Sequence, residues 1–300
     1  TSVGYVMTEK FGAISLIGPT NAGKSTLLNK MLGEKLAITS RKVQTTRFRI
    51  RGVAMHGAAQ FAIVDTPGFF DPKRPFDEGM IHEAEEATKD VDILLMVVDA
   101  VRGKCDIAKN VLKKLSAVTM PRFLVLNKVD QLTDKEALLP LAQEFFEEVA
   151  FDEVHFVSAE TGAGVENLLA AIAKLLPEEH WHYDPDTLTD MPMRVLAAEA
   201  VREHLYDRLH QELPYDALVE TERFEERKDG SAAIHILVTV KRDGQKALVL
   251  GQGGCTVKAI GQAARQELTQ AWGRRIHLFV QVRVRPDWDK HYDPRKMLGI

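Results

Sequence analysis

Cysteine is scarce: the 300 residues hold two, Cys105 and Cys255, lying 150 positions apart. That excludes a disulfide framework or a thiolate metal cluster and makes a reducing cytoplasm the natural compartment. Long apolar runs are missing too. Stretches such as 93–98 and 123–126 fall far short of the ~18–20 residues that cross a bilayer. Residues 1–11 lack the basic-then-apolar layout of a secretion signal, and a start without Met reads as a trimmed one. Internal repeats and low-complexity tracts are also absent. What is present, 45% hydrophobic and 27% charged residues, is the composition of a soluble globular protein long enough for two cores.

The net charge of −4 conceals an asymmetry. Residues 1–191 carry 21 basic and 28 acidic side chains, whereas residues 241–300 carry 12 basic and 5 acidic. A basic end on an acidic chain suggests a polyanionic partner for that end alone.

Residues 11–176 alternate short Val/Ile/Leu-rich runs with amphipathic ones. Strands are expected at 12–17, 47–53, 60–65, 93–99, 122–127 and 155–157, and helices at 24–32, 76–89, 106–117, 134–149 and 164–176. This pattern predicts an α/β domain with a mostly parallel sheet and helices on both faces. Residues 47–51 alternate strictly, as an edge strand with one wet face would. Residues 177–192, with three prolines and no period, read as an interdomain linker. Beyond them the order becomes helix (193–209), two strands (217–226 and 232–241), helix–turn–helix around 251–254, and strand (276–285). The expected domains are therefore 1–176 and 193–300, the second of α+β class.

Gly18, Pro19, Thr20, Asn21, Ala22, Gly23, Lys24 and Ser25 form G-x-x-x-x-G-K-S directly after a strand and at the start of a helix that continues through Thr26. In that context the main chain closes around phosphates and the helix N-terminus adds its positive end. Lys24 is expected to reach the β- and γ-phosphates, and Ser25 to ligate Mg²⁺. Asn127, Lys128 and Asp130 of N-K-x-D select the base. A carboxylate there accepts hydrogen bonds from guanine N1–H and N2–H₂, whereas adenine would leave it buried and unpaired. Asn127 is expected to tie the base loop to the phosphate loop. Ser158, Ala159 and Glu160 follow the next strand and offer main-chain N–H groups to guanine O6. Asp65, Thr66, Pro67 and Gly68 end a strand, Asp65 holding the Mg²⁺ shell and the Gly68 N–H sensing the γ-phosphate. Thr45 and Thr46 are alternative hydroxyls for Mg²⁺, Thr46 being favoured. The residue after Gly68 is Phe69, which cannot orient water as a glutamine would, so unaided hydrolysis should be slow. Asn21 suggests a remedy: at that point of the loop it can ligate K⁺ between the phosphates. Lys24, Thr46, Gly68 and Asn21 are thus the candidate catalytic groups.

In the second domain Gly251, Gln252, Gly253 and Gly254 form a G-x-x-G between two helices. That loop clamps single-stranded nucleic acid in KH domains, because missing side chains let phosphates reach the main chain. Lys246, Lys258, Arg265 and the strand 276–285, which carries Arg283, lie close in sequence, with Val249 and Ile260 as apolar groove or core. The order helix–strand–strand–helix–helix–strand fits a type II KH fold.

Together these motifs, with 40–47 (Ser-Arg-Lys-Val-Gln-Thr-Thr-Arg) and Val249–Gly254, resemble the Era family of bacterial ribosome-assembly GTPases over nearly the whole chain. The resemblance implies a P-loop GTPase domain followed by a KH domain, GTP and GDP as ligands, and Mg²⁺ as cofactor. It implies binding of the 3′ end of 16S rRNA and action on the small (30S) ribosomal subunit. Some members associate peripherally with the inner membrane; a cytoplasmic monomer is expected here. One departure stands out: the interior of the family's G-x-x-G usually includes a lysine, and here it is Gln252-Gly253.

Overall fold

The computed structural model describes residues 8–37, 50–68, 91–115, 119–209 and 216–291. They form two compact units, the first running to Asp190 and the second starting at Met191.

The first unit is built on a six-stranded sheet: β1 (Lys10–Ile17), β2 (Ile50–His56), β3 (Ala59–Asp65), β4 (Ile93–Asp99), β5 (Arg122–Asn127) and β6 (Glu153–Phe156), in the order β2-β3-β1-β4-β5-β6. Only β2 runs antiparallel, against β3; the remaining pairs are parallel. The helices are α1 (Lys24–Leu32), α2 (Asp106–Leu115), α3 (Leu138–Phe146) and α4 (Val165–Leu175). β3 and β4 are buried at every residue, which is why they read as continuous apolar runs rather than alternating ones. The expected helix at 76–89 lies outside the described residues.

Two local outcomes differ from the sequence reading. The helix expected from 134 begins at Leu138, because Pro140 lacks an N–H and is tolerated only in a first turn. Asp134 instead closes a turn by accepting the Glu136 N–H at 2.8 Å. The second concerns 177–192, expected as a linker, most of which is packed along β2 and β3. The Val53 N–H donates to the Leu188 carbonyl at 2.8 Å, and Thr189 donates its hydroxyl to the Arg51 carbonyl. The buried Gln60 amide donates to the Tyr183 carbonyl and accepts the His182 and Tyr183 N–H groups. Trp181 donates to the Ala58 carbonyl, and the His182 ring stacks on Phe11 at 3.7 Å. An edge strand with open main-chain groups is thereby covered. That cover also explains why β2 stops alternating after Gly52.

The second unit is a three-stranded sheet of β7 (Leu218–Glu226), β8 (Ala232–Val240) and β9 (Ile276–Val284), with β8 central, antiparallel to β7 and parallel to β9. Helices α5 (Met193–Arg208), α6 (Asp243–Leu250) and α7 (Cys255–Trp272) complete it. Their core gathers Val201, Leu205, Ile234, Ile236, Val249, Ile260 and Leu268. α5 is buried on its charged side as well: Arg202 holds the Glu199 carboxylate through two hydrogen bonds and lies over the Tyr206 ring. This is the helix–strand–strand–helix–helix–strand order of a type II KH domain.

Candidate nucleotide site and candidate RNA groove

β1 ends at Ile17, the loop 18–23 follows, and α1 begins at Lys24. Gly23 sits at φ 93, and a Cβ there would lie 2.2 Å from Asn127 Nδ2, so only glycine fits. The buried Lys24 ammonium donates to the Gly18 and Pro19 carbonyls at 3.2 and 3.0 Å. Burial pushes its pKa down to about 8, an effect partly offset by the Asp65 carboxylate. The Ser25 hydroxyl donates to Asp65 Oδ2 at 2.6 Å, so α1 and the end of β3 bring two hard oxygen donors together. Thr66 donates to the Leu16 carbonyl at 2.8 Å, fixing the segment that leads through Pro67 to Gly68. A Cβ on Gly68 would meet the Thr20 main chain at under 3 Å, which places this glycine against the phosphate loop. Thr26 is half-buried on the first turn of α1. Thr45, Thr46 and Phe69 lie outside the described residues.

At the other end, the Asn127 amide donates to the Ala22 carbonyl and its oxygen accepts the Ala159 N–H, each at 2.9 Å. Asn127 therefore ties the loop 158–160 to the phosphate loop. Ser158 Oγ accepts the Thr161 N–H at 3.1 Å and shapes that loop, on which Ala159 is buried and Glu160 exposed. Asp130 is exposed, and no described residue bonds its carboxylate. An acceptor at the carboxyl edge of a parallel sheet is where a base would be read. Lys128 Nζ donates to the Asn21 carbonyl at 2.7 Å and pairs with Asp99 at 2.6 Å. Asp99 was not singled out from the sequence. Its only signal there is an acid ending a buried strand, and the register Asp99↔Asn127 that gives it meaning is tertiary.

In the second unit α6 ends at Leu250 and is capped by Gly251, residues Gln252–Gly254 make one tight turn, and α7 follows. Gly251, Gly253 and Gly254 all have positive φ, and a Cβ on Gly251 would meet Thr256 Oγ1 at 2.2 Å. Gln252 and Gly253 are exposed. A groove of about 280 Å³ lies between α7 and β9, lined by Val257, Lys258, Gln262, Arg265, Leu278 and Val280. Lys258 is exposed and Lys246 half-buried. Neither Lys258 nor Arg265 has an ion pair among the described residues.

Three of the expected RNA contacts lie elsewhere. Val249 and Ile260 are 0% and 1% exposed in the domain core, so they support the groove rather than line it. Arg283 alternates with the core-packed Val282 and Val284 along β9, projects from the opposite face, and donates to Thr239 Oγ1 at 3.1 Å. Gln262 and Arg265, the latter already marked by the sequence, stand one and two turns beyond Lys258 on α7 and line the groove with it.

Among the described residues, no three His, Cys, Asp or Glu side chains cluster as a metal site, and no helix is long and apolar enough to cross a membrane.

The sequence model of a family described as 50S ribosome-binding GTPase matches residues 13–128, and that of the KH domain matches residues 212–289. The GTPase Era of Rhizobium meliloti (strain 1021) is 47% identical over 300 residues, 100% of this chain and 95% of that one. The GTPase Era of Dinoroseobacter shibae is 49% identical over 292 residues, covering 96% and 94%. Among solved structures, a singly substituted form of Aquifex aeolicus Era bound to GDP·AlF4⁻ superposes with a TM-score of 0.91 at 32% identity, over 97% of this chain and 99% of that chain. Era in complex with MgGDPNP and nucleotides 1506–1542 of 16S ribosomal RNA matches with the same TM-score, identity and coverage.

Proposed function

This chain belongs to the Era family of GTPases, and on that premise we propose that it is a GTP-hydrolysing switch that grips the 3′ end of 16S rRNA and acts in assembly and maturation of the 30S subunit. The observation that carries the reading is the side chain of Asn127, which joins a phosphate loop to a base loop beside the open carboxylate of Asp130. The groove between α7 and β9, bordered by the cations Lys258 and Arg265, and the G-x-x-G turn that leads into α7 support the RNA half. The relative solved with 16S rRNA nucleotides supports the choice of RNA.

In the nucleotide site, Lys24 exchanges its two loop carbonyls for the β- and γ-phosphates, a trade that favours the charged ammonium. Asp130 takes the guanine N1–H and N2–H₂, and the main chain of 158–160 donates to O6. The Gly68 N–H, held against Thr20, registers the γ-phosphate. Ser25 and Asp65 present the hard oxygen pair that Mg²⁺ requires, with Thr46 as the further ligand. When bound, Mg²⁺ neutralises charge developing on the phosphate oxygens.

Phe69 cannot orient the attacking water, so intrinsic turnover is slow. K⁺ held by Asn21 would supply part of the missing positive charge. The protein works as a cytoplasmic monomer, with peripheral association at the inner membrane as in some relatives.

The test combines three measurements. Fluorescent GDP should bind and ADP should not. GTP turnover should be faster in K⁺ than in Na⁺ buffer. Cross-linking of the GTP-loaded protein to cellular RNA should recover the 3′ end of 16S rRNA. Equal adenine binding overturns the nucleotide reading, equal rates in the two salts overturn the K⁺ role, and cross-links confined to other RNAs overturn the ribosomal one.

A further inference from the structure

Asp99 closes β4, level with Asn127 on β5. Its Oδ1 accepts the main-chain N–H groups of Val101 and Arg102 at 2.9 and 3.3 Å, so the turn after the strand holds the carboxylate in place. Its Oδ2 lies 2.6 Å from Lys128 Nζ, and that ammonium also donates to the Asn21 carbonyl at 2.7 Å. Among the described residues, Lys128 and Asn21 are the two non-glycines with positive φ, 67° and 62°. An L-residue keeps that conformation only where its surroundings hold it. A single ammonium joins these two residues, and Asp99 is the fixed anion beneath it. Between them the lysine stem runs beside the phosphate loop, its Cε 3.8 Å from where a Cβ of Gly23 would stand.

We propose that Asp99 is a positioning residue for nucleotide binding. It clamps Lys128 between the base end and the phosphate loop, so that the lysine stem is set along the edge where base and ribose lie and the Asn21 carbonyl is locked in the loop. The inference rests on the nucleotide site described above. It assigns to β4 a part in the site that none of the sequence motifs carries.

The turn-capping oxygen and the lysine-facing oxygen are different atoms, and this allows a clean test. Asp99→Asn keeps an oxygen for the turn, removes the charge and puts a neutral amide opposite Lys128. Asp99→Ser retains a short acceptor for the turn and likewise loses the anion. Binding of fluorescent GDP is measured for the wild type, for both variants, for Lys128→Met and for the double variant Asp99→Asn/Lys128→Met, with thermal unfolding of each nucleotide-free protein alongside.

Both Asp99 variants should bind GDP at least about tenfold more weakly, the lower end of the scale for losing a charged hydrogen bond. The double variant should be no weaker than Lys128→Met alone, because a residue acting only through Lys128 has nothing left to position. The proposal falls if either Asp99 variant folds and binds GDP as the wild type does, or if the two losses multiply in the double variant. Wild-type protein that fails to take up GDP would instead remove the guanine-site reading on which the proposal stands.

Discussion

Asn127 and Ala22, 105 positions apart, are joined by a 2.9 Å hydrogen bond from the asparagine amide to the alanine carbonyl. The same side chain accepts the Ala159 N–H at the same distance. One residue at the end of β5 thereby sets the spacing between the group that reads the base and the loop that wraps the phosphates. Replacing it with alanine leaves two buried main-chain groups unpaired, each worth ~1–3 kcal/mol. Asn127→Ala should lower the melting temperature by several degrees and weaken GDP binding roughly 10- to 100-fold by titration calorimetry. Asn127→Asp keeps the acceptor for Ala159 and loses the donor to Ala22, so it should fall between the two.

Asp130 has no described partner, so replacing it disturbs little in the nucleotide-free protein. Asp130→Asn exchanges an acceptor-only carboxylate for an amide that offers a donor as well. Guanine then faces donor against donor, whereas xanthine presents a carbonyl where guanine has its amino group. The variant should bind XDP at least about tenfold better than GDP in a competition assay against labelled nucleotide, with a melting temperature close to wild type.

Lys24 makes stability and binding depend on pH in opposite senses. Its ammonium is buried and its pKa lies at about 8, against 10.5 for the exposed side chain. Below pH 8 both folded and unfolded chains hold the proton, and the cost of burying the charge is fully present. Between about pH 8 and 10.5 the unfolded chain holds a proton that the folded one releases, so this group makes the folded state more stable as pH rises. The rise amounts to roughly 3 kcal/mol at most and should vanish in Lys24→Met, as read from urea unfolding across that range. Bound phosphates favour the charged form and raise the pKa again. GDP binding should therefore take up a proton above pH 8, with affinity falling up to about tenfold per pH unit.

How much of this could be read in advance varied with the kind of signal. β4 and β5 begin and end at the residues expected from the sequence, since strands buried on both faces leave no ambiguity of phase. The phosphate loop, Asp65 and Asn127 were legible because each motif carries its own geometry. Asp99 was not, because its partner Lys128 is supplied by strand register. The segment 177–192 misled for a related reason. Its prolines and acids mark it as irregular but say nothing about the Gln60 amide and Val53 N–H that hold it. Arg283 was placed near the G-x-x-G correctly along the chain and wrongly in space, whereas Val249 and Ile260, left open between groove and core, fall in the core. Proximity in sequence does not say which face of a helix or strand a side chain occupies.

The G-x-x-G turn makes its own prediction, because its interior here lacks the lysine usual in the family. Gln252 is exposed at the tip, and a positive side chain there would face whatever phosphate the turn admits. Gln252→Lys adds one cation without touching Gly251, whose Cβ position is already filled by Thr256. Binding of a single-stranded RNA by the full chain should tighten severalfold at low salt. The slope of log affinity against log salt should steepen by about 0.7, the increment for one more neutralised phosphate on a single strand. Lys258→Ala and Arg265→Ala, which remove cations lining the groove, should each flatten the slope by a similar amount. GDP affinity should stay unchanged in all three. A Gln252→Lys protein with the wild-type salt slope would mean that phosphates do not approach the tip of this turn, and that the groove holds its ligand by its α7 and β9 walls alone.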